Sequence, residues 1–189
     1  MNARFVTLVL LLFVWLEGDS VWAQYLPKLY QVFSPDKKLK MAIQRHNAGL
    51  LTYTFAANRE ILIKDSPLGF KLESQETVPS SGWKIEIVSD RKVRDEWKPL
   101  WGKRAVVEDH FNELVIDLVN PAGQPERMQL VVRGYNDGFA FCYKIPDGKG
   151  PCVNVQSELT AYNFAGDYTA WFYNGENHNI GPEKLTETD

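Results

Sequence analysis

Residues 112–145 read NELVIDLVNPAGQPERMQLVVRGYNDGFAFCYKI. Apolar side chains alternate with others in three runs: Leu114, Ile116 and Leu118, then Met128, Leu130 and Val132, then Phe139, Phe141, Tyr143 and Ile145. A period of two over about five to seven residues describes strands with one face in a core. Between the runs lie Asn120-Pro121-Ala122-Gly123 and Asn136-Asp137-Gly138. These are turn clusters, because Asn and Gly tolerate positive φ and Pro presets φ.

The same rhythm extends toward the N-terminus. Leu39, Met41 and Ile43 alternate with polar or small residues, as do Leu51, Tyr53 and Phe55, and Trp83, Ile85 and Ile87. Ser34-Pro35-Asp36 and Asn47-Ala48-Gly49 supply further turns. No window of a dozen residues carries a 3.6 period, although Arg91–Trp97 fits either one helical turn or an edge strand. About ten short strands between tight turns predict an all-β fold, an antiparallel β-sandwich. From Tyr162 the alternation fades, so the sandwich is expected over 24–165 and a connector over 166–189.

The first 23 residues have the layout of a secretory signal peptide. A basic start ends at Arg4, an apolar run spans Phe5–Leu16, and Val21-Trp22-Ala23 places small residues where a peptidase reads them. The run is too short to span a bilayer comfortably. Cleavage there predicts a periplasmic or secreted protein. It removes Arg4, Glu17 and Asp19, leaving 20 basic against 22 acidic side chains, a net charge of −2. A mixed, near-neutral chain gives no basic stripe for nucleic acid. The remaining 166 residues suit one domain burying roughly 70% of its unfolded surface.

Cys142 and Cys152 flank Pro146-Asp147-Gly148-Lys149-Gly150. If this is a hairpin turn with Val153 and Val155 on the return strand, both thiols leave the apolar face and can meet. A bridge closing so short a loop would contribute about 2.7 kcal/mol on the chain-entropy account. Two free thiols packed as small apolar residues are the alternative.

Trp97-Lys98-Pro99-Leu100-Trp101-Gly102, Asn112-Glu113-Leu114 and Arg133–Tyr143, in that order and spacing, resemble the N-terminal domain of glycoside hydrolase family 97. Ser34-Pro35-Asp36 and Ser66-Pro67-Leu68-Gly69 fit as well, and the likeness runs from about Leu29 to Glu183. One departure is Cys142, where an arginine is expected. The resemblance implies a super-sandwich, a galactose-mutarotase-like fold, which in the family precedes a (β/α)8 barrel. It also implies calcium-dependent exo-acting α-glucosidase or α-galactosidase activity, with the catalytic carboxylates on the barrel. A barrel takes about 250 residues, which this chain does not contain.

No catalytic residue is therefore expected here. Glycoside hydrolysis needs two carboxylates, one with a raised pKa, and the most motif-like acid, Glu113, is expected as a strand-edge carboxylate bonded to a turn. His46, His110 and His178 are scattered, with no two at metal-ligand spacing. The resemblance implies that one carboxylate near the end of the domain helps bind calcium; Glu183 fits best, with Glu176 second. Ca²⁺ takes six to eight oxygens, so a single donor leaves the site incomplete. Trp97, Trp101, Tyr162, Trp171 and Tyr173 lie outside the alternating core positions, and such rings either hold carbohydrate or pack on the barrel. Partners expected are thus an α-glucan or α-galactoside and a C-terminal catalytic barrel. A stand-alone exported carbohydrate-binding module is the alternative, and a mutarotase-like enzyme a third, since related super-sandwiches epimerise sugars.

Overall fold

A computed structural model describes residues 28–46, 49–74, 76–123, 125–145, 153–173 and 179–188. The expected signal peptide therefore lies outside the described residues, as do Cys152, Glu176 and His178.

Two four-stranded antiparallel sheets face each other. The first runs β1 (Leu29–Phe33), β2 (Leu39–Arg45), β3 (Leu51–Ala57) and β4 (Glu60–Leu68), in chain order. After two short strands, β5 (Phe70–Leu72) and β6 (Thr77–Val78), the second sheet comprises β7 (Lys84–Trp97), β8 (Val107–Val119), β9 (Arg127–Gly134) and β10 (Phe139–Lys144), again in chain order with β7 at one edge. Among the described residues there is no α-helix; the one helical piece is a 3₁₀ turn, Leu185–Glu187. The chain is an all-β antiparallel sandwich, as the alternation predicts.

The core is built from the alternating positions. Met41, Ile43, Leu51 and Tyr53 come from the first sheet and Leu114, Ile116, Leu118, Met128, Leu130 and Val132 from the second. Trp83 is wholly buried among them. Each large apolar side chain removed from water contributes roughly 1.5–3 kcal/mol, so this seam is the main source of stability. The Ser34-Pro35-Asp36 turn is locked locally: Ser34 Oγ donates to Asp36 Oδ1 (2.6 Å) and accepts from Leu39 N (3.0 Å).

The two edges of the first sheet differ. Residues 159–165 run along β4, with Ala161 N donating to Pro67 O (3.2 Å), Lys64 N to Asn163 O (2.8 Å) and Ala165 N to Leu62 O (2.9 Å). β1, at the other edge, pairs only with β2 among the described residues.

One open alternative is settled, in favour of the edge strand, and one expectation changes. Arg91–Trp97 is strand, the outer half of a fourteen-residue β7, because β8 offers it a partner across the whole length, from Lys84↔Val119 to Trp97↔Val107. The expected return strand beyond Cys142 does not pair with β10. Instead β11 (Val155–Glu158) joins β5 and β6 in a three-stranded sheet, and Val155 is exposed. Cys142 does point away from the core, as a free, exposed thiol, but the hairpin that was to bring Cys152 opposite it is absent among the described residues. The segment expected as a connector holds an antiparallel hairpin, β12 (Thr169–Tyr173) with β13 (Asn179–Lys184).

Candidate functional site

Four of the five aromatic residues singled out from the sequence fall in two places. Trp97 ends β7, and Trp101 sits in the loop that carries β7 into β8. Trp101 is 87% exposed and the neighbouring Leu100 fully so. Three cations, Lys98, Lys103 and Arg104, share residues 97–106 with no acid. Trp171 and Tyr173 stand two apart on one exposed face of β12, Trp171 being 72% exposed. Tyr162 instead packs edge-on against Tyr53, with ring centres 6.4 Å apart.

Glu113 is not the strand-edge acid expected. It lies on β8 in the interior of the second sheet, directly opposite Arg91 on β7 and Arg133 on β9. Oε1 accepts from Arg91 Nε (2.6 Å) and Oε2 from Arg133 Nε (2.8 Å). The Arg133 guanidinium also lies 4.3 Å over the Phe111 ring. These contacts cover Glu113 to 4% exposure on the face turned away from the core. The hydrogen bond from Arg91, helped by Arg133 and opposed by burial, holds its carboxyl below the usual range. An acid kept ionised and fully bonded is the reverse of a glycosidase's proton donor. Sequence reasoning missed this arrangement because it depends on cross-strand register, which pairs residues twenty or more positions apart.

Glu183 sits half-buried on β13 opposite Ala170. Among the described residues no three His, Cys, Asp or Glu side chains come together in a group able to hold a metal ion.

Sequence reasoning also missed a groove. Among the described residues β1 packs over β8 and β9, and a cleft opens between it and the face that β7 and β8 share. The resulting cleft of about 890 Å³ lies between β1 with its following turn and strands β7 and β8. Asp90 and Lys92 on β7 and His110 and Asn112 on β8 share the face that lines it, by register. Asn112 Nδ2 donates across the cleft to Phe33 O (2.8 Å), and Asn136 Oδ1 accepts from Asp36 N (2.9 Å), bracing its rim. The only sequence signal was the density of charge along β7.

Comparison with known proteins places these features in a family. The profile of Glycosyl-hydrolase 97 N-terminal matches residues 32–189. A probable retaining α-galactosidase of Streptomyces bingchenggensis (strain BCW-1) is 27% identical over 164 residues, which are 86% of this chain and 24% of that protein. A glycoside hydrolase family 97 enzyme from Pseudoalteromonas sp. strain K8, in complex with panose, superposes with a TM-score of 0.67 at 25% identity, over 77% of this chain and 22% of that one. A β-arabinopyranosidase gives 0.64 at 26% identity, over 75% of this chain and again 22% of its own. The chain thus spans about a quarter of the length of these relatives. With a profile match over more than four-fifths of its residues and an architecture shared with such enzymes, it belongs to the glycoside hydrolase 97 N-terminal family.

Proposed function

We propose that this chain is the non-catalytic N-terminal domain of a family 97-type exo-α-glycosidase, bracing the catalytic barrel and forming part of the wall of its sugar pocket. The observation that carries this reading is the family match over 32–189 in a chain that amounts to about a quarter of its enzymatic relatives. The two uncovered aromatic patches fit it: the Trp97–Leu100–Trp101 tip and the Trp171–Tyr173 face are the sort of apolar surface that a partner domain or a sugar ring covers. In this reading Glu183 is one ligand of a calcium ion whose other oxygens come from the barrel. The protein is exported to the periplasm or beyond, and its natural sugars are α-glucosides or α-galactosides.

A stand-alone carbohydrate-binding module is the second reading, favoured by the exposure of Trp171 and Tyr173 on one strand face. Hydrolysis of p-nitrophenyl α-glucoside and α-galactoside by the purified chain tests the first. No turnover is expected. Turnover that disappears when one of the chain's own carboxylates is replaced would overturn the non-catalytic reading.

A further inference from the structure

The groove beside β1 is chemically unlike the core it borders. Asp90 and Lys92 project from the same face of β7, about 7 Å apart along the strand. Among the described residues neither side chain makes a hydrogen bond or ion pair with the rest of the protein, and the same holds for the His110 ring and the Lys37 ammonium at the turn. The neighbouring polar groups are, by contrast, spoken for: Asn112 is tied to Phe33, and Glu113 to its two arginines. The cleft therefore combines a braced frame with a set of unused acceptors and donors of both charge signs. Its volume of about 890 Å³ is within the range of small-molecule sites.

Mixed charge disfavours a simple anion or a simple cation, since the first meets Asp90 and the second meets Lys92. A neutral polyhydroxylated molecule suits both, because each hydroxyl donates to a carboxylate and accepts from an ammonium or imidazole. We propose that this groove is a binding subsite for a neutral oligosaccharide, with Asp90 accepting from sugar hydroxyls and Lys92 and His110 meeting them from the other side. The proposal rests on the reading of the chain as part of a carbohydrate-active enzyme. It locates sugar on the inner face of β7, away from both exposed aromatic patches.

Titration of the chain with panose, followed by calorimetry and by chromatography of the sugar afterwards, tests it. Asp90 and Lys92 are exposed, so Asp90→Ala with Lys92→Ala leaves the core intact, and circular dichroism of the double variant confirms the fold. Panose binding weakened at least tenfold in that variant, and unchanged in Trp171→Ala with Tyr173→Ala, supports the groove. Binding abolished by the aromatic pair but retained by the Asp90 and Lys92 variant overturns it, as does the absence of any heat with the unaltered chain at millimolar panose. Neither of those results touches the non-catalytic reading, which the chromatogram tests separately by showing whether panose is cleaved.

Discussion

Arg133 and Glu113 face each other across β8 and β9, joined by a 2.8 Å hydrogen bond from Nε to Oε2. Arg91 holds the other oxygen, so one carboxylate offsets two guanidinium charges. Glu113→Gln leaves those two cations adjacent, with one hydrogen bond lost outright. Removal of a buried partner from such a cluster costs about 1–3 kcal/mol. Urea denaturation at neutral pH is expected to show that loss, whereas Arg91→Ala, at the exposed end, is expected to cost less than Glu113→Gln does.

The same cluster sets a response to acid. Because the folded-state pKa of Glu113 lies below its ordinary value of 4.5, the unfolded chain takes up the proton first. The stabilisation is complete above that value and fades as pH falls from there through the folded pKa. The stability gap between the unaltered chain and Glu113→Gln is expected to shrink between neutral pH and acid. A gap that stays constant down to pH 3 would contradict this account.

At the alkaline end two tyrosines act. Burial, as the main cause, pushes the Tyr53 phenol up to about 12, and Tyr143 is raised further by the same effect. Unfolded tyrosines ionise near 10, so stability is expected to hold below pH 10 and to fall above it, up to about pH 12 for Tyr53. Absorbance titration of the folded chain should find two phenols that resist ionisation while exposed tyrosines titrate. Tyr143→Phe should remove one of them.

Gly49 has φ of +84°, and a Cβ there would collide with the Ser80 carbonyl. Both the backbone conformation and the space exclude a side chain. Gly49→Ala is expected to destabilise the fold by at least about 2 kcal/mol, in chemical denaturation. Gly138→Ala, where a Cβ would meet nothing within 4 Å, is expected to change stability by about 0.5 kcal/mol or less.

The β7–β8 tip should behave in the opposite way. Leu100 and Trp101 touch so little of the domain that Leu100→Ser with Trp101→Ser is expected to shift stability by about 0.5 kcal/mol or less. Solubility at high concentration should rise, because the exposed apolar patch is smaller. Light scattering across a concentration series measures it.

The sandwich was legible in the sequence wherever a strand had one wet and one dry face: Leu114, Ile116 and Leu118 announce β8, and Met41 and Ile43 announce β2. Period two is a local signal that each strand carries alone. What each strand pairs with is not local. Val153 and Val155 looked like the return of a hairpin, yet β11 crosses to β5, where Leu72 and Phe70 give it partners. Arg91–Trp97 escaped a firm reading because neither face of that half-strand is core, so no apolar period marked it. The groove escaped because its lining comes from β1, a turn, β7 and β8, stretches far apart in the sequence that only the fold brings together.

β7 also bears on how copies of this protein behave in company. A fourteen-residue strand with an open edge is a long template, able to recruit another chain's backbone into a growing ribbon. Along it stand Lys84, Glu86, Asp90, Arg91, Lys92, Arg94, Asp95 and Glu96, so an incoming strand would have to desolvate charge at nearly every step. The length that gives β8 a full partner is thereby guarded against nucleating fibrils by a row of charge, in which Arg91 and Glu86 also hold partners on β8 and β9.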